Sequence, residues 1–186
     1  MGELLDRAIV YAVKAHEGQF RKGTDIPYIL HPLEAAAIVG TMTADEAVIA
    51  GAVLHDAVED TDATVEEIRE RFGERVAALV AAESEDKRSD LPAASTWKLR
   101  KQETLAHLAS APVDVKMITL GDKLSNIRAI HRDHQRIGDD LWQRFNQKDK
   151  REHWWYYNGI AECLHELRSH QAYREYRELI RLTFEG

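Results

Sequence analysis

The chain contains a single cysteine, Cys163, so no internal disulfide can form, and a reducing compartment such as the cytoplasm is the expected setting. It has no apolar run near the ~18 to 20 residues that a membrane span needs. Its first residues, "MGELLDRAIVYAVKAHEG", place acids in the opening turns, unlike a signal peptide, and Asp6 stands where N-myristoylation prefers Ser or Thr. A basic excess is missing too. The formal net charge of -7 argues against a nucleic-acid backbone as partner, while leaving room for a small phosphate ligand held by a local basic cluster. There is no internal repeat, low-complexity tract or linker. The strict apolar-polar alternation of half-buried strands is almost absent.

What is present is helical periodicity. Apolar residues make up 44% of the 186 and charged residues of mixed sign 31%, a balance that suits a folded domain with a sizeable core. Residues 3–17 read as an amphipathic helix with Leu4, Leu5, Ala8, Val10, Tyr11 and Ala12 mostly inward. The irregular stretch "EGQFRKGTDIPYILHP" follows. Pro32 suits the first position of a helix over 32–40, Thr43 the cap of one over 44–57, and Thr64 with Glu67 a capping box. Further helices are predicted at 65–71, 74–82, 96–109, 113–131, 137–145, 148–168 and 171–183, with a polar surface loop over 83–95. The pattern predicts one all-α domain, 1–186, of about eight to ten helices.

Chemistry concentrates in "VLHDAVEDT", residues 53–61, where an apolar run ends in His55, Asp56, Glu59 and Asp60. On a helix His55 and Asp56 splay by about 100°, yet two neighbours can converge on an ion between them. Glu59 lies four residues on from His55, and Asp60 four on from Asp56, each pair sharing a face. Buried charge beside apolar surface is costly unless paired or metal-bound. An isolated His-Asp pair is more often a plain helix end, so further ligands are needed. Two fit: His31 in "YILHP", and Asp122, which interrupts the apolar run of "VKMITLGDKLSNIR", whose Met117, Ile118, Leu120, Leu124 and Ile127 form a core face. Two imidazoles and two carboxylates leave open positions on a six-coordinate ion, as a catalytic site requires. Ligand type alone does not choose among Mn2+, Fe2+ and Zn2+.

Several stretches together resemble the HD-domain metal-dependent phosphohydrolases, and within them the hydrolase domain of RelA/SpoT homologues and the stand-alone small alarmone hydrolases. In order they are "AVKAHEGQFRKGTDIPYILHP", "VLHDAVEDTDATVEEIRERFGERVAALV", "SEDK" with "WKLRKQETLAHL", "ITLGDKLSNIR", and "IGDDLWQRFN" with "WWYYNGI". The resemblance spans roughly residues 5–165. It implies an HD-domain helical bundle and removal of the 3′-pyrophosphate from guanosine tetra- or pentaphosphate, giving pyrophosphate and GDP or GTP, usually with Mn2+. It implies the same four ligands, His31, His55, Asp56 and Asp122, with Glu59 and Asp60 orienting a water molecule and one taking its proton. Arg21 and Lys22 would line the nucleotide site, the guanidinium packing on the base. Asn126 can offer a donor and an acceptor to a base or ribose edge, and Lys87 of "SEDK" would meet phosphate. Arg151 and Tyr156, with Lys148 and Trp154 in one helical register, would finish the pocket. His131 and His134, in the polar "HRDHQR", read as a helix end rather than a second metal site.

Two departures stand out. Gly121 occupies a position where many relatives have Ala, and would loosen its helix by up to ~1 kcal/mol. The stretch "RSDLPAAST" is longer than in close relatives and bears on substrate access. The length leaves no room for an added synthetase domain. Rival functions are an HD phosphohydrolase acting on another nucleotide, such as the 2′-phosphate of NADPH, and a nucleotide-binding regulator without turnover. The expected partner is a guanine nucleotide, with neither nucleic acid nor membrane. Oligomeric state stays open, because an apolar helix face reads alike against a core or a partner.

Overall fold

The structure is a computed structural model and describes residues 2–84 and 92–185. Among the described residues the fold is all-α, as the periodicity predicts. The helices are α1 (Glu3–Ala15), α2 (Leu30–Val39), α3 (Glu46–Leu54), α4 (Ala57–Asp60), α5 (Val65–Phe72), α6 (Glu74–Glu83), α7 (Ala93–Ala109), α8 (Val113–Ile137), α9 (Lys150–Cys163) and α10 (Gln171–Phe184). Short 3-10 segments cover Gly138–Arg144 and His165–Leu167. Strand pairing among the described residues is confined to a single bridge between Phe20 and Pro27. None of these helices is long and apolar enough to cross a membrane. The chain forms two compact units, Met1–Ser84 with Pro112–Asp122, and Glu85–Ala111 with Lys123–Gly186.

The first unit is built around α3. Its sequence, EAVIAGAVL, is apolar on every side, and Val48, Ala50, Ala52, Val53 and Leu54 are all fully buried. A helix without a polar face belongs inside a core, and α1, α2 and α6 pack against it. Glu46, at its start, accepts hydrogen bonds from the amides of Gly2 and Leu5 at 2.9 and 3.1 Å, tying down the opening turn of α1. α5 begins as expected, with the Thr64 hydroxyl accepting from the Glu67 amide at 3.1 Å.

Some local expectations fail for identifiable reasons. Asp45, not Thr43, caps α3: its carboxylate accepts from the Ala47 amide at 3.0 Å, while the Thr43 hydroxyl is used one step earlier on the Asp45 amide. Pro32 is the third residue of α2 rather than the first. It is tolerated there because the first-turn amides have no helical acceptor in any case. Val10, expected inward, is exposed. The helix expected over 44–57 stops at Leu54, and α4 adds one turn after His55 and Asp56.

The second unit packs α7, the later turns of α8, α9 and α10 around Trp142, Tyr157, Ile160, Leu164, Tyr176 and Ile180, all buried. Buried phenols there find carbonyls, as they must: Tyr176 donates to Tyr157 and Tyr173 to Ala161, each at 3.0 Å. The helix expected over 148–168 ends at Cys163, and the one expected over 137–145 is the 3-10 segment. Lys87 and most of the expected 83–95 loop lie outside the described residues.

Candidate metal centre

Four elements of the first unit bring the site together. His31 is the second residue of α2, His55 and Asp56 link α3 to α4, and Asp122 lies on α8. Gly121 is what lets α8 approach α2. A Cβ there would fall 2.7 Å from the Ala35 carbonyl oxygen and 2.8 Å from Val39 Cγ2. The glycine read from sequence as a loosening residue is instead a close-contact residue, and it delivers Asp122 to the flank of His31. The break after Leu54 has a related effect. Asp56 sits at φ -90°, ψ -8°, a sparsely populated region often used at functional sites, so His55 and Asp56 need not diverge as on a straight helix.

The four side chains converge. His31 Nε2 lies 3.4 Å from Asp56 Oδ2 and 3.2 Å from Asp122 Oδ1. His55 Nε2 lies 3.2 and 3.8 Å from the same two oxygens. His31, His55 and Asp122 are buried, and Asp56 keeps a small exposed edge. Among the described residues, His31, His55 and Asp122 also form the one cluster whose donor atoms all lie within 4.8 Å of one another.

The donor set fits a divalent cation. His55 Nδ1 lies 2.8 Å from the Ala52 carbonyl. A carbonyl only accepts, so Nδ1 carries a proton, and in the neutral ring that a cation would require the lone pair is on Nε2. That Nε2 is buried and makes no hydrogen bond of proper geometry, although two carboxylates flank it. Two neutral imidazoles and two carboxylates sum to a charge that a dication cancels. Without a cation the same arrangement attracts protons. Burial opposes a charged His55, but Asp56 and Asp122 outweigh it and hold its pKa well above the ordinary value. Asp56 mirrors this: burial pushes it up, but His55 and then His31 hold it well below the usual carboxylate range. Proton and cation compete for the same atoms.

Beside this cluster, Glu59 and Asp60 are half-buried in α4. Asp60 is joined to the centre by a residue given no role from sequence. The Tyr28 hydroxyl lies 2.6 Å from Asp56 Oδ2 and 2.8 Å from Asp60 Oδ2. Burial first, then the two carboxylates, hold this phenol far above its ordinary pKa, so it is a neutral donor. His16, also given no role, is buried and stacked on Tyr28 with ring centroids 4.9 Å apart. The available signal was the position of Tyr28 in "PYILHP", three residues before His31.

The remaining candidates are distributed as follows. Arg21 is half-buried with its guanidinium 5.5 Å from the Tyr28 ring centroid, and Lys22 is exposed in the same turn. Asn126 is half-buried one turn beyond Asp122 along α8. In the second unit, Tyr156 is buried with an unpartnered hydroxyl, and Lys101 and Lys123 stand 5.0 and 5.9 Å from its ring centroid. Arg151 is exposed and forks onto Asp149, the cap of α9. His131 and His134 go to Thr183 and Asp139, each at 3.0 Å.

An all-α chain with two imidazoles and two carboxylates turned on one point has the build of a divalent-cation protein. The chain belongs to the HD domain family, whose sequence pattern matches residues 8–149. It is 41% identical over 127 residues to the GTP pyrophosphokinase rsh of Brucella melitensis biotype 1, covering 68% of this chain and 17% of that protein. It is 39% identical over 131 residues to the guanosine-3′,5′-bis(diphosphate) 3′-pyrophosphohydrolase of Aquifex aeolicus, covering 69% and 18%. The chain thus spans less than a fifth of the length of these curated relatives. Among solved structures, it matches a metazoan ortholog of SpoT that hydrolyses ppGpp, with TM-score 0.77, 25% identity, and 97% and 96% of the two chains covered. A Listeria monocytogenes protein matches at TM-score 0.73 and 30% identity, covering 86% and 97%.

Proposed function

We propose that this chain is a metal-dependent hydrolase that removes the 3′-diphosphate of guanosine tetra- or pentaphosphate, with Mn2+ as the ion. The observation that carries the reading is the convergence of the His31 and His55 Nε2 atoms on Asp56 and Asp122, in a chain that resembles the Aquifex aeolicus protein and the metazoan SpoT ortholog, both of which bear that activity in their names. His31, His55, Asp56 and Asp122 would hold the cation. A cation held there would neutralise charge on the diphosphate and would make a water molecule easier to deprotonate.

The chain's own residues account for the rest. Glu59 and Asp60 orient the water, and one of them takes its proton. The water oxygen ends in pyrophosphate, and the ribose 3′-oxygen leaves with a proton, so the products are pyrophosphate and GDP or GTP. Arg21 supplies a planar guanidinium for the purine face, and Lys22 a point charge for phosphate.

The experiment is a turnover assay with metal-stripped protein and guanosine tetraphosphate, with and without Mn2+. Release of GDP and pyrophosphate only with Mn2+ is the expected result. Mn2+ binding without turnover would overturn the substrate assignment, and NADPH would be the next nucleotide tried.

A further inference from the structure

Tyr28 carries a constraint that simple counting exposes. Its hydroxyl is within hydrogen-bond distance of two carboxylates, Asp56 and Asp60. A phenol has one proton to donate, and an ionised carboxylate only accepts. The hydroxyl therefore serves one carboxylate at a time while its oxygen stays near both. The ring is held in place independently. It stacks on His16 at an interplanar angle of 27°, and the Tyr28 amide donates to the Gln19 carbonyl at 2.9 Å. His16 Nδ1 in turn lies 2.8 Å from Gln19 Oε1, and Gln19 Nε2 donates to the Asp60 carbonyl at 2.8 Å. The segment between α1 and α2 thus grips Asp60 twice, by its backbone through Gln19 and by its carboxylate through Tyr28.

We propose that Tyr28 is a positioning residue for Asp60, its hydroxyl donating to Asp56 while that carboxylate lacks a cation and to Asp60 once Asp56 serves as a ligand. This rests on the reading above, in which Asp56 is a ligand and Asp60 orients water. Asp56 Oδ2 faces the Tyr28 hydroxyl and both imidazole Nε2 atoms at once. A carboxylate oxygen drawn onto a dication is a poorer hydrogen-bond acceptor than an uncoordinated one. The single proton then turns to Asp60, and the hydroxyl holds Asp60 Oδ2 in the loaded site.

Calorimetric Mn2+ titration of the full chain tests this without any substrate. The forms compared are the natural sequence, Tyr28→Phe, Asp60→Asn and the double variant. Phe keeps the ring on His16. Asn is a weaker acceptor, so the hydroxyl stays on Asp56 and Mn2+ affinity falls about tenfold, the worth of a hydrogen bond to a charged group. In the double variant no proton competes for Asp56, and affinity returns to within about twofold of Tyr28→Phe alone. An equal loss in the double variant would mean that Asp60 acts on the cation by charge alone, which overturns the proposal. Turnover is the second readout. Tyr28→Phe lowers kcat about tenfold with KM unchanged, and the double variant is no slower than Asp60→Asn. An undiminished kcat in Tyr28→Phe overturns the proposal. If every form is inactive, the natural sequence included, the nucleotide reading falls instead, and the Mn2+ cycle still decides the role of Tyr28.

Discussion

His55 in the first unit and His153 in the second are both buried, and each gives one ring N–H to a backbone carbonyl, that of Ala52 and of Gln147, at 2.8 Å. Their chemistry nevertheless diverges. His55 turns its other nitrogen toward Asp56 and Asp122. His153 lies among Trp97, Trp142 and Phe145, with ring centroids 5.1 to 5.6 Å away. The carboxylates raise the affinity of His55 for a cation or a proton, whereas burial pushes the His153 pKa down and keeps it neutral. A buried imidazole is a ligand or a packing group according to what faces its second nitrogen, and burial alone does not tell which.

The largest expected effect breaks the first half of the contrast. His55→Ala or Asp56→Ala removes a proposed ligand, so Mn2+ binding in calorimetry and turnover disappear together while the helical circular dichroism spectrum stays. Glu59→Gln separates holding the ion from activating water. It keeps Mn2+ affinity but lowers kcat by about a hundredfold or more, the usual cost of losing a general base. A near-normal kcat there would leave proton acceptance to Asp60.

Gly121→Ala probes the packing that supports the ligand set. The added methyl improves helix propensity by up to ~1 kcal/mol. It must also enter the space at 2.7 Å from the Ala35 carbonyl, and overpacking of this kind costs about 1 to 3 kcal/mol. The clash wins, so the melting temperature drops and Mn2+ affinity weakens together, because Asp122 moves with its neighbour.

The smallest effect lies on the other side of the comparison. The His153 pKa is depressed below 6.5 in the folded chain, so the unfolded chain takes up that proton more readily. Its contribution to stability is complete above about pH 6.5 and is lost as pH falls from there toward the folded value, by about 1.4 kcal/mol per pH unit at most. Urea unfolding of the natural sequence and of His153→Phe at pH 7.5 and 5.5 checks this. The variant should lose less stability than the natural sequence between the two conditions, and an equal loss would mean that His153 is not the group responsible.

Much of the site was legible because its residues are rare types in apolar surroundings. His55, Asp56 and Asp122 each interrupt a run that would otherwise be core, where charge is costly to bury. His31 and Asp122 are picked out as their partners with the help of the family signature. Tyr28 and His16 are not, because an aromatic next to a proline turn reads as packing, and only the distances to Asp56 and Asp60 give the hydroxyl a task. Gly121 was misread, since propensity is a property of one helix and close approach a property of two. The break after Leu54 was hidden for a similar reason: nothing in "VLHDAV" is a helix breaker, and the backbone at Asp56, φ -90° and ψ -8°, stays near the helical region.

By itself, the sequence determined the all-α class, the Thr64 cap, the apolar run that becomes α3, the core face of α8, and the residue types able to bind a divalent cation. These follow from periodicity and side-chain chemistry, which act over one or two turns. The tertiary structure decided which carboxylates face His31 and His55, how near α8 comes to α2, and which carboxylates share one hydroxyl. Those depend on contacts between residues 28 to 91 positions apart in the chain, such as Tyr28 with Asp56 and His31 with Asp122, and local spacing does not encode such contacts.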